Sequence, residues 1–505
     1  MNHPTLSLGL CLWASLAVAA ELHPWFGDGM VLQRDQPIRI AGTAAPSAKV
    51  TVHLGAEIST VEVPPSGRWS VVFPARSANA QPTTIAVEER SQTLTVGNVL
   101  VGDVWICAGQ SNMEFPLSRD ADAKTELPQA NLALVRLRNH SFAGQYRYAA
   151  PLDAATVAQM TVAHFYSGRW ETCTPKSAAP LSAVGYYFAK RIAAEAGVPV
   201  GIVNYAVGGA PIEAFISREA LASNAVFRKK VTGNWLDNES LEGSFVRLRG
   251  RQHVGAAQEA PGDDGGPNHG FKPGFAWAAG PAQATDFAVK GVLWYQGESN
   301  AIRQADIGEY GGLMKLLVAD WRQRWQQPNL PFYWVQLPSI NEPARQFWPE
   351  FREVQRQLTR EISASGMAVA LDVGAAKDVH PRHKRAVGER LAALALRDLH
   401  GRKDLTAEGP VALDARQAGN TVRIRFRSAE GLTLAGPTPP LVETRLTGRT
   451  DFTPARGVRV EGDMLSIEAE GPVAEVRYAW HMNAAAALRN GADLPAGPFV
   501  LKVSE

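Results

Sequence analysis

The chain has 505 residues, too long for one ordinary core and enough for two to four compact units at roughly 100–200 residues each. Its 45% hydrophobic and 20% charged residues are those of a folded protein and exclude wholesale disorder. Lys plus Arg (51) against Asp plus Glu (49) leaves a net charge of +2, which excludes the basic footprint of a nucleic-acid partner and a polybasic membrane tail.

An apolar run from Leu6 to Ala17 leads into Ala17-Val18-Ala19-Ala20 and then Glu21. It is too short to span a bilayer and has the small-residue exit of a secretory signal, although no Lys or Arg precedes it. Residues 1–20 are therefore expected to be a signal peptide, and the mature protein secreted or periplasmic. No later run is long and apolar enough for a membrane span. Past the leader only Cys107 and Cys173 remain; export would let them pair, but two ordinary buried thiols are the preferred reading. No Cys/His spacing fits a metal, so none is expected.

From 21 to 97, short alternating runs such as Ile38 to Gly42, Val50 to Leu54 and Trp69 to Phe73, broken by Pro46, Pro64-Pro65-Ser66-Gly67 and Pro82, predict a small N-terminal β-sandwich. The pattern changes at Val99, where Val99 to Ala108 is nearly continuous in apolar residues, as in a strand buried on both faces. Ser182 and Gly197 bracket an apolar-periodic stretch with helix start and stop signals, and Val200 to Val207 is a second buried strand. The grammar continues with strands at Val289 to Tyr295, Pro331 to Leu337 and Met367 to Asp372, and helices around Tyr310 to Trp325, Phe351 to Ala364 and Arg382 to Leu399. Strands alternating with helices predict a parallel α/β sheet over 98–217 and 287–400, with its site at the strand C-terminal ends. Residues 218–286, rich in Gly, Pro and Asp, read as a loop-rich insertion shaping the cleft or as a disordered connector. Alternation returns over 401–505 and predicts a C-terminal β domain.

Polar clusters follow the buried strands. Gly109-Gln110-Ser111-Asn112-Met113 delivers a serine through a glycine turn, where its hydroxyl reaches a carbonyl and its N–H faces the same oxyanion. Gly208-Gly209-Ala210-Pro211 lets backbone approach a ligand closely. Trp294-Tyr295-Gln296-Gly297-Glu298-Ser299-Asn300 supplies amide donors and a carboxylate. In Asp378-Val379-His380-Pro381 a carboxylate and an imidazole stand two residues apart, as a serine's base and its orienting acid require, with His383 close enough to compete. Each cluster alone also reads as an ordinary turn; the order Ser, Asp, His across separate strand ends does not.

In these strings, together with Met30-Val31-Leu32-Gln33-Arg34, Gly67-Arg68-Trp69, Gly102-Asp103-Val104-Trp105 and Val476-Arg477-Tyr478-Ala479-Trp480, the chain resembles the SGNH hydrolases, and more closely the bacterial sialate O-acetylesterase-like carbohydrate esterases. The resemblance implies an SGNH-type three-layer α/β/α parallel sheet flanked by N-terminal and C-terminal β-sandwich-like units. It also implies a serine esterase that removes O-acetyl groups from sugars without metal or organic cofactor. Residue by residue it implies Ser111 as nucleophile, His380 as base and then acid, Asp378 as orienting carboxylate, and the N–H groups of Ser111 and Gly209 in the oxyanion hole. The wider superfamily places an Asn where this chain has Ser299, so Gln296 is the implied third donor, with Asn300 as rival. Asp378 and His380 are two apart where many members have three, which leaves Asp372 as an alternative acid. Sialic acid and acetylated plant polysaccharide (xylan or xyloglucan) both remain open as substrates, with Arg303, Arg382 and Arg477 as carboxylate partners or solvated surface. The rival classes are a non-catalytic carbohydrate-binding protein and a lipase or thioesterase, the latter disfavoured because no long apolar lid segment is evident. Composition leaves the oligomeric state open.

Overall fold

A computed structural model describes residues 20–147, 151–257, 259–435 and 441–505. The signal-peptide reading rests on residues 1–19, which lie outside the described residues. The apolar run at Val99 lies within an 18-residue strand, β1 (Gln92–Gly109). Its first half pairs antiparallel with Asn79–Glu89, and its second half lies between two parallel strands. Those neighbours belong to a series in chain order: β2 (Leu132–Asn139), β3 (Val200–Asn204), β4 (Gly291–Tyr295), β5 (Phe332–Val335) and β6 (Ser365–Ala368). In space the order is β2-β3-β1-β4-β5-β6, all parallel, with Glu171–Cys173 antiparallel on the β2 edge. From β1 the chain crosses to β2 and back to β3 on one side, and then passes outward through β4, β5 and β6 on the other. The C-terminal end of β1 is therefore a topological switch point, where an α/β sheet opens a crevice.

Four helices cover the sheet: α1 (Ala183–Ala196), α2 (Gln304–Arg324), α3 (Trp348–Glu361) and α4 (Arg385–Leu399). The α1 helix starts where the Ser182 hydroxyl accepts the Gly185 N–H at 3.1 Å, and stops at Gly197, which has a φ of 66°. Consecutive residues of β5 face opposite layers: the Tyr333 hydroxyl donates to Asp398 of α4, and the Trp334 indole N–H donates to the Gln355 carbonyl of α3. Trp105 follows Tyr333 and meets Phe188 of α1, whereas Trp294 donates to Tyr310 of α2. Helices therefore lie on both faces, in the three-layer α/β/α arrangement.

Two further β-rich units flank this core. At the N-terminus, Ile38–Thr43 and Arg68–Phe73 pair antiparallel, and Lys49–Leu54 pairs with Glu57–Glu62 and Asn79–Glu89. At the C-terminus an eight-stranded sheet runs between Val411 and Ser504 and carries its own apolar core around Val422, Ile424, Leu465 and Val476. The segment between β3 and β4 is built of short helical pieces, among them Arg218–Ser223, Leu248–Val254 and Phe275–Ala279, and it packs into the main core through Trp235, Phe271 and Trp277. Cys107 and Cys173 are both buried and free. No helix among the described residues is long and apolar enough to cross a membrane.

Candidate active site

Four loops converge at the C-terminal ends of β1, β3, β4 and β6. Gly109, with a φ of 124°, ends β1 so tightly that a Cβ there would lie 2.2 Å from the Tyr295 carbonyl oxygen. Only glycine fits, and it turns the chain so that Ser111 begins the single helical turn Ser111–Glu114. The Ser111 hydroxyl lies 2.8 Å from His380 Nε2. Burial is the main force lowering the pKa of His380, with the positive charge of Lys384 added to it and Asp378 opposing both. Asp378 Oδ1 accepts the His380 backbone N–H at 2.8 Å and lies 3.8 Å from Nδ1. Asp372, the alternative acid, is held by Arg390 at 2.6 Å and Arg489 at 3.0 Å, and makes no contact with His380. His383 is exposed.

The Ser111 and Gly209 N–H groups donate to no other group among the described residues. Gly209 has a φ of 81° and is fixed by the Ser299 hydroxyl, which donates to its carbonyl at 2.9 Å. Ser299, the departure from the superfamily pattern, thus holds the loop that carries one of the two N–H groups.

The side-chain amides stand differently from what the resemblance implies. The Gln296 amino group is spent on Asn300 Oδ1 at 2.7 Å, on Gln110 Oε1 at 3.2 Å and on the Ala210 carbonyl at 3.4 Å. Asn300 is spent too, accepting from the Ile212 N–H and donating to Glu213, whose other oxygen meets the buried Lys230 ammonium at 2.8 Å. Neither amide lines the cavity at Ser111, because both belong to this buried polar chain. Gln110 does line it. Its Oε1 accepts from Gln296, from the Ser299 N–H at 3.2 Å and from the Gly297 N–H at 3.4 Å, while its amino group donates to nothing among the described residues. Each bond fixes the next: Glu213 accepts from Lys230 and from Asn300, Asn300 Oδ1 accepts from Gln296, and the same Gln296 amino group donates to Gln110 Oε1, which leaves the amino edge of Gln110 for the cavity.

Beneath Ser111, Asn112 Nδ2 donates to Glu298 Oε1 at 2.5 Å and to the Val379 carbonyl at 2.9 Å, and its Oδ1 accepts from the Lys384 ammonium. Burial brings the Lys384 pKa down to about 7 and raises that of Glu298. Glu114 at the end of the same turn is pushed up to about 7 by burial, against a hydrogen bond from Gln145.

The cavity beside Ser111 holds about 250 Å³ and is walled by Phe245 and Arg249 of the segment between β3 and β4 and by Arg345. Arg249 stacks on Phe245 at 4.5 Å, and Arg345 donates to the Glu298 carbonyl at 2.7 Å. Arg303, Arg382 and Arg477 are elsewhere: Arg303 pairs with Asp306, Arg477 with Glu443, and Arg382 donates to the Arg119 carbonyl. Nothing in the sequence around 245 to 249 or 345 marks those residues as cavity walls, because their partners are distant in the chain. Gln110 and Asn112 do flank the serine in the motif, but their roles depend on which way each amide turns.

The family profile for carbohydrate esterase, sialic acid-specific acetylesterase matches residues 101–242 and 278–397. Human sialate O-acetylesterase is 26% identical over 546 aligned positions, covering 99% of this chain and 96% of that protein. The rat sialate O-acetylesterase is 28% identical over 420, covering 76% and 74%. Among solved structures, a carbohydrate acetylesterase from Xanthomonas citri superposes with a TM-score of 0.77 at 30% identity, covering 96% of this chain and all of its own. With its catalytic sheet and strand-end loops matched along their length, the chain belongs to the carbohydrate esterase, sialic acid-specific acetylesterase family, and is a carboxylic ester hydrolase.

Proposed function

We propose that this protein removes O-acetyl groups from sialic acid by a serine acyl-enzyme mechanism, with Ser111 as nucleophile, His380 as base and then acid, and Asp378 as orienting carboxylate. The observation that carries this reading is the 2.8 Å contact between His380 Nε2 and the Ser111 hydroxyl at the wall of a cavity. His380 takes the Ser111 proton as the oxygen attacks the acetyl carbonyl; the developing oxyanion accepts the N–H groups of Ser111 and Gly209. His380 then returns the proton to the departing sugar hydroxyl, and a water activated by the same imidazole releases acetate. In place of Gln296 or Asn300, Gln110 is the third oxyanion donor. Its amino group is the amide edge at the cavity that has no internal partner, and a neutral donor held by three hydrogen bonds reorganises little as charge develops.

Arg249 and Arg345 on the cavity wall favour a carboxylate-bearing sugar. A second reading, an acetylesterase of neutral plant polysaccharide such as xylan or xyloglucan, draws on the Xanthomonas citri neighbour, a carbohydrate acetylesterase. Acetate release measured side by side on O-acetylated sialic acid, acetylated xylan and acetylated xyloglucan decides between them: sialate turnover at least tenfold above both polysaccharides supports the first reading. Ser111→Ala abolishes all three activities with the fold intact; undiminished turnover in that variant overturns the mechanism. Export to the periplasm or medium follows from the leader at 1–20, and the mass of the exported chain tests it by starting at Ala20 or Glu21.

A further inference from the structure

We propose that Asn112 and Lys384 are positioning residues that register the His380 loop on the nucleophile turn through one hydrogen bond, from the Asn112 amide to the Val379 carbonyl. The proposal rests on the serine-esterase reading. Asn112 directly follows Ser111 and Val379 directly precedes His380, so this 2.9 Å bond, closing a separation of 267 residues, joins the immediate neighbours of the catalytic pair. Asn112 is fully buried, so its N–H has no water to turn to if the bond is lost. The loop needs an anchor. Asp378 is half exposed and 3.8 Å from the imidazole, and its one hydrogen bond to His380 is to the backbone N–H of its own loop.

The amide works in one orientation only. Turned over, Asn112 would present an oxygen to both the Val379 carbonyl and Glu298, and a lone pair would meet a lone pair at each. Lys384 excludes that state by donating to Oδ1. The ammonium is itself fixed: Lys384 is 1% exposed, its backbone N–H donates to Asp120 Oδ2 at 2.9 Å, and its head lies over the rings of Phe115 and Tyr295 at 4.9 and 5.3 Å. Glu298 supplies the opposing charge across the same amide. Nothing places the Lys384 head in the cavity or on the Ser111 hydroxyl; it acts on His380 through Asn112 and through its charge.

Three variants test this: Asn112→Leu, Lys384→Met, and the two together, in which neither an ammonium nor an amide is left without a partner. Acetate release from a small acetyl ester falls in kcat by about 100-fold in each single variant, as misplacing a catalytic group does, with little change in KM. Because both residues act through one bond, the double variant is no slower than the slower single. Asn112→Asp keeps the volume and the Oδ1 acceptor for Lys384, exchanges the N–H for a second carboxylate oxygen and adds a negative charge beside Glu298, so it serves if Asn112→Leu fails to fold, and it loses kcat likewise. A pH profile adds a readout that packing alone would not move. Around His380 stand Asp378 on its own loop and Lys384, Arg119 and Arg345 on neighbouring segments. Removing the Lys384 charge shifts the acid limb of kcat/KM to higher pH. Losses that multiply in the double variant, kcat near wild type in folded Asn112→Asp, or an unmoved acid limb in Lys384→Met would each overturn the proposal. Ratios to wild type judge these variants, whereas absence of Ser111-dependent turnover in the wild type would instead count against the esterase mechanism.

Discussion

His380 holds a proton less readily than a free imidazole, whose ordinary value is 6.5, because burial and the Lys384 charge outweigh the attraction of Asp378. A base is active when neutral, so the acid limb of kcat/KM has its midpoint below 6.5 in the wild type. In Asp378→Asn the one attractive charge is gone: the midpoint moves lower still while kcat drops, and a steady-state pH series on both proteins checks the pair of shifts. The oxyanion donors make a second prediction. Gln110→Met keeps the length of the side chain and removes the amino group together with the Oε1 acceptor, and kcat should fall about 100- to 1,000-fold with KM nearly constant. Gln296→Leu should cost less, because the Gln110 oxygen retains the Gly297 and Ser299 N–H groups. A loss in Gln296→Leu as large as that in Gln110→Met would count against Gln110 as the donor. Glu114 makes a third prediction, in stability. Its pKa is about 7 in the folded protein against an ordinary 4.5, so between these values the folded state holds a proton that the unfolded state has released. Stability falls as pH rises through that window, by roughly 3 kcal/mol from this group, and is level above it. Glu114→Gln removes the dependence, so its melting temperature relative to wild type is higher at pH 8 than at pH 4.5.

At the scale of elements, what the sequence made legible is what is local. Ser182 and Gly197 mark a helix because a cap and a left-handed stop are made by residues next to the turn they close. The buried strands are legible from their unbroken apolar runs, and the serine and histidine loops from the glycine that precedes Ser111 and the proline that follows His380. The pattern of the sequence changes at Val99, yet one strand runs through Gly97-Asn98. Asn98 has a φ of 53° where the pairing of β1 with Asn79–Glu89 shifts register, shortly before the parallel partners begin at Leu100 and Asp103, so the local signal is an irregularity inside a strand rather than the end of one. The polar chain that turns the amino edge of Gln110 to the cavity is not legible, since it begins at Lys230 and reaches Gln110 through residues far apart in sequence. Gly109 belongs to this scale as well, because it forms the corner between β1 and the nucleophile turn. Gly109→Ala should abolish Ser111 labelling by an organophosphonate, since the new Cβ would lie 2.2 Å from the Tyr295 carbonyl and either β1 or β4 must shift.

Across the whole molecule, β1 makes the N-terminal unit and the catalytic sheet a single cooperative body. One apolar core runs without interruption from Trp25 and Ile40 through Val99, Leu100 and Trp105 to Leu394, whereas the C-terminal unit has a separate core centred on Val422, Ile424 and Val476. The C-terminal unit is tied to the rest by polar contacts, from Arg352 to the His481 and Met482 carbonyls and from Arg489 to Asp372, and by apolar ones, with Leu371 in its core, Val369 packed against that core and Met482 against the main one. Removing residues 21–91 would strip Asn79–Glu89 from β1 and Val31–Gln33 from its other edge, leaving a strand half with unpaired backbone and exposed Val99 and Leu100. Each fully buried Val or Leu contributes about 1.5–3 kcal/mol, and domains have only about 5–15 kcal/mol to lose. The truncated chain should therefore be insoluble or inactive despite retaining every residue of the site. Hydrogen exchange on the intact protein supplies the matching measurement: amides of Ile38–Thr43 and of β3 should exchange through one shared opening, and those of Thr421–Arg427 through another. If instead the N-terminal unit opened independently of β3, the continuity of β1 would be a matter of geometry without energetic consequence.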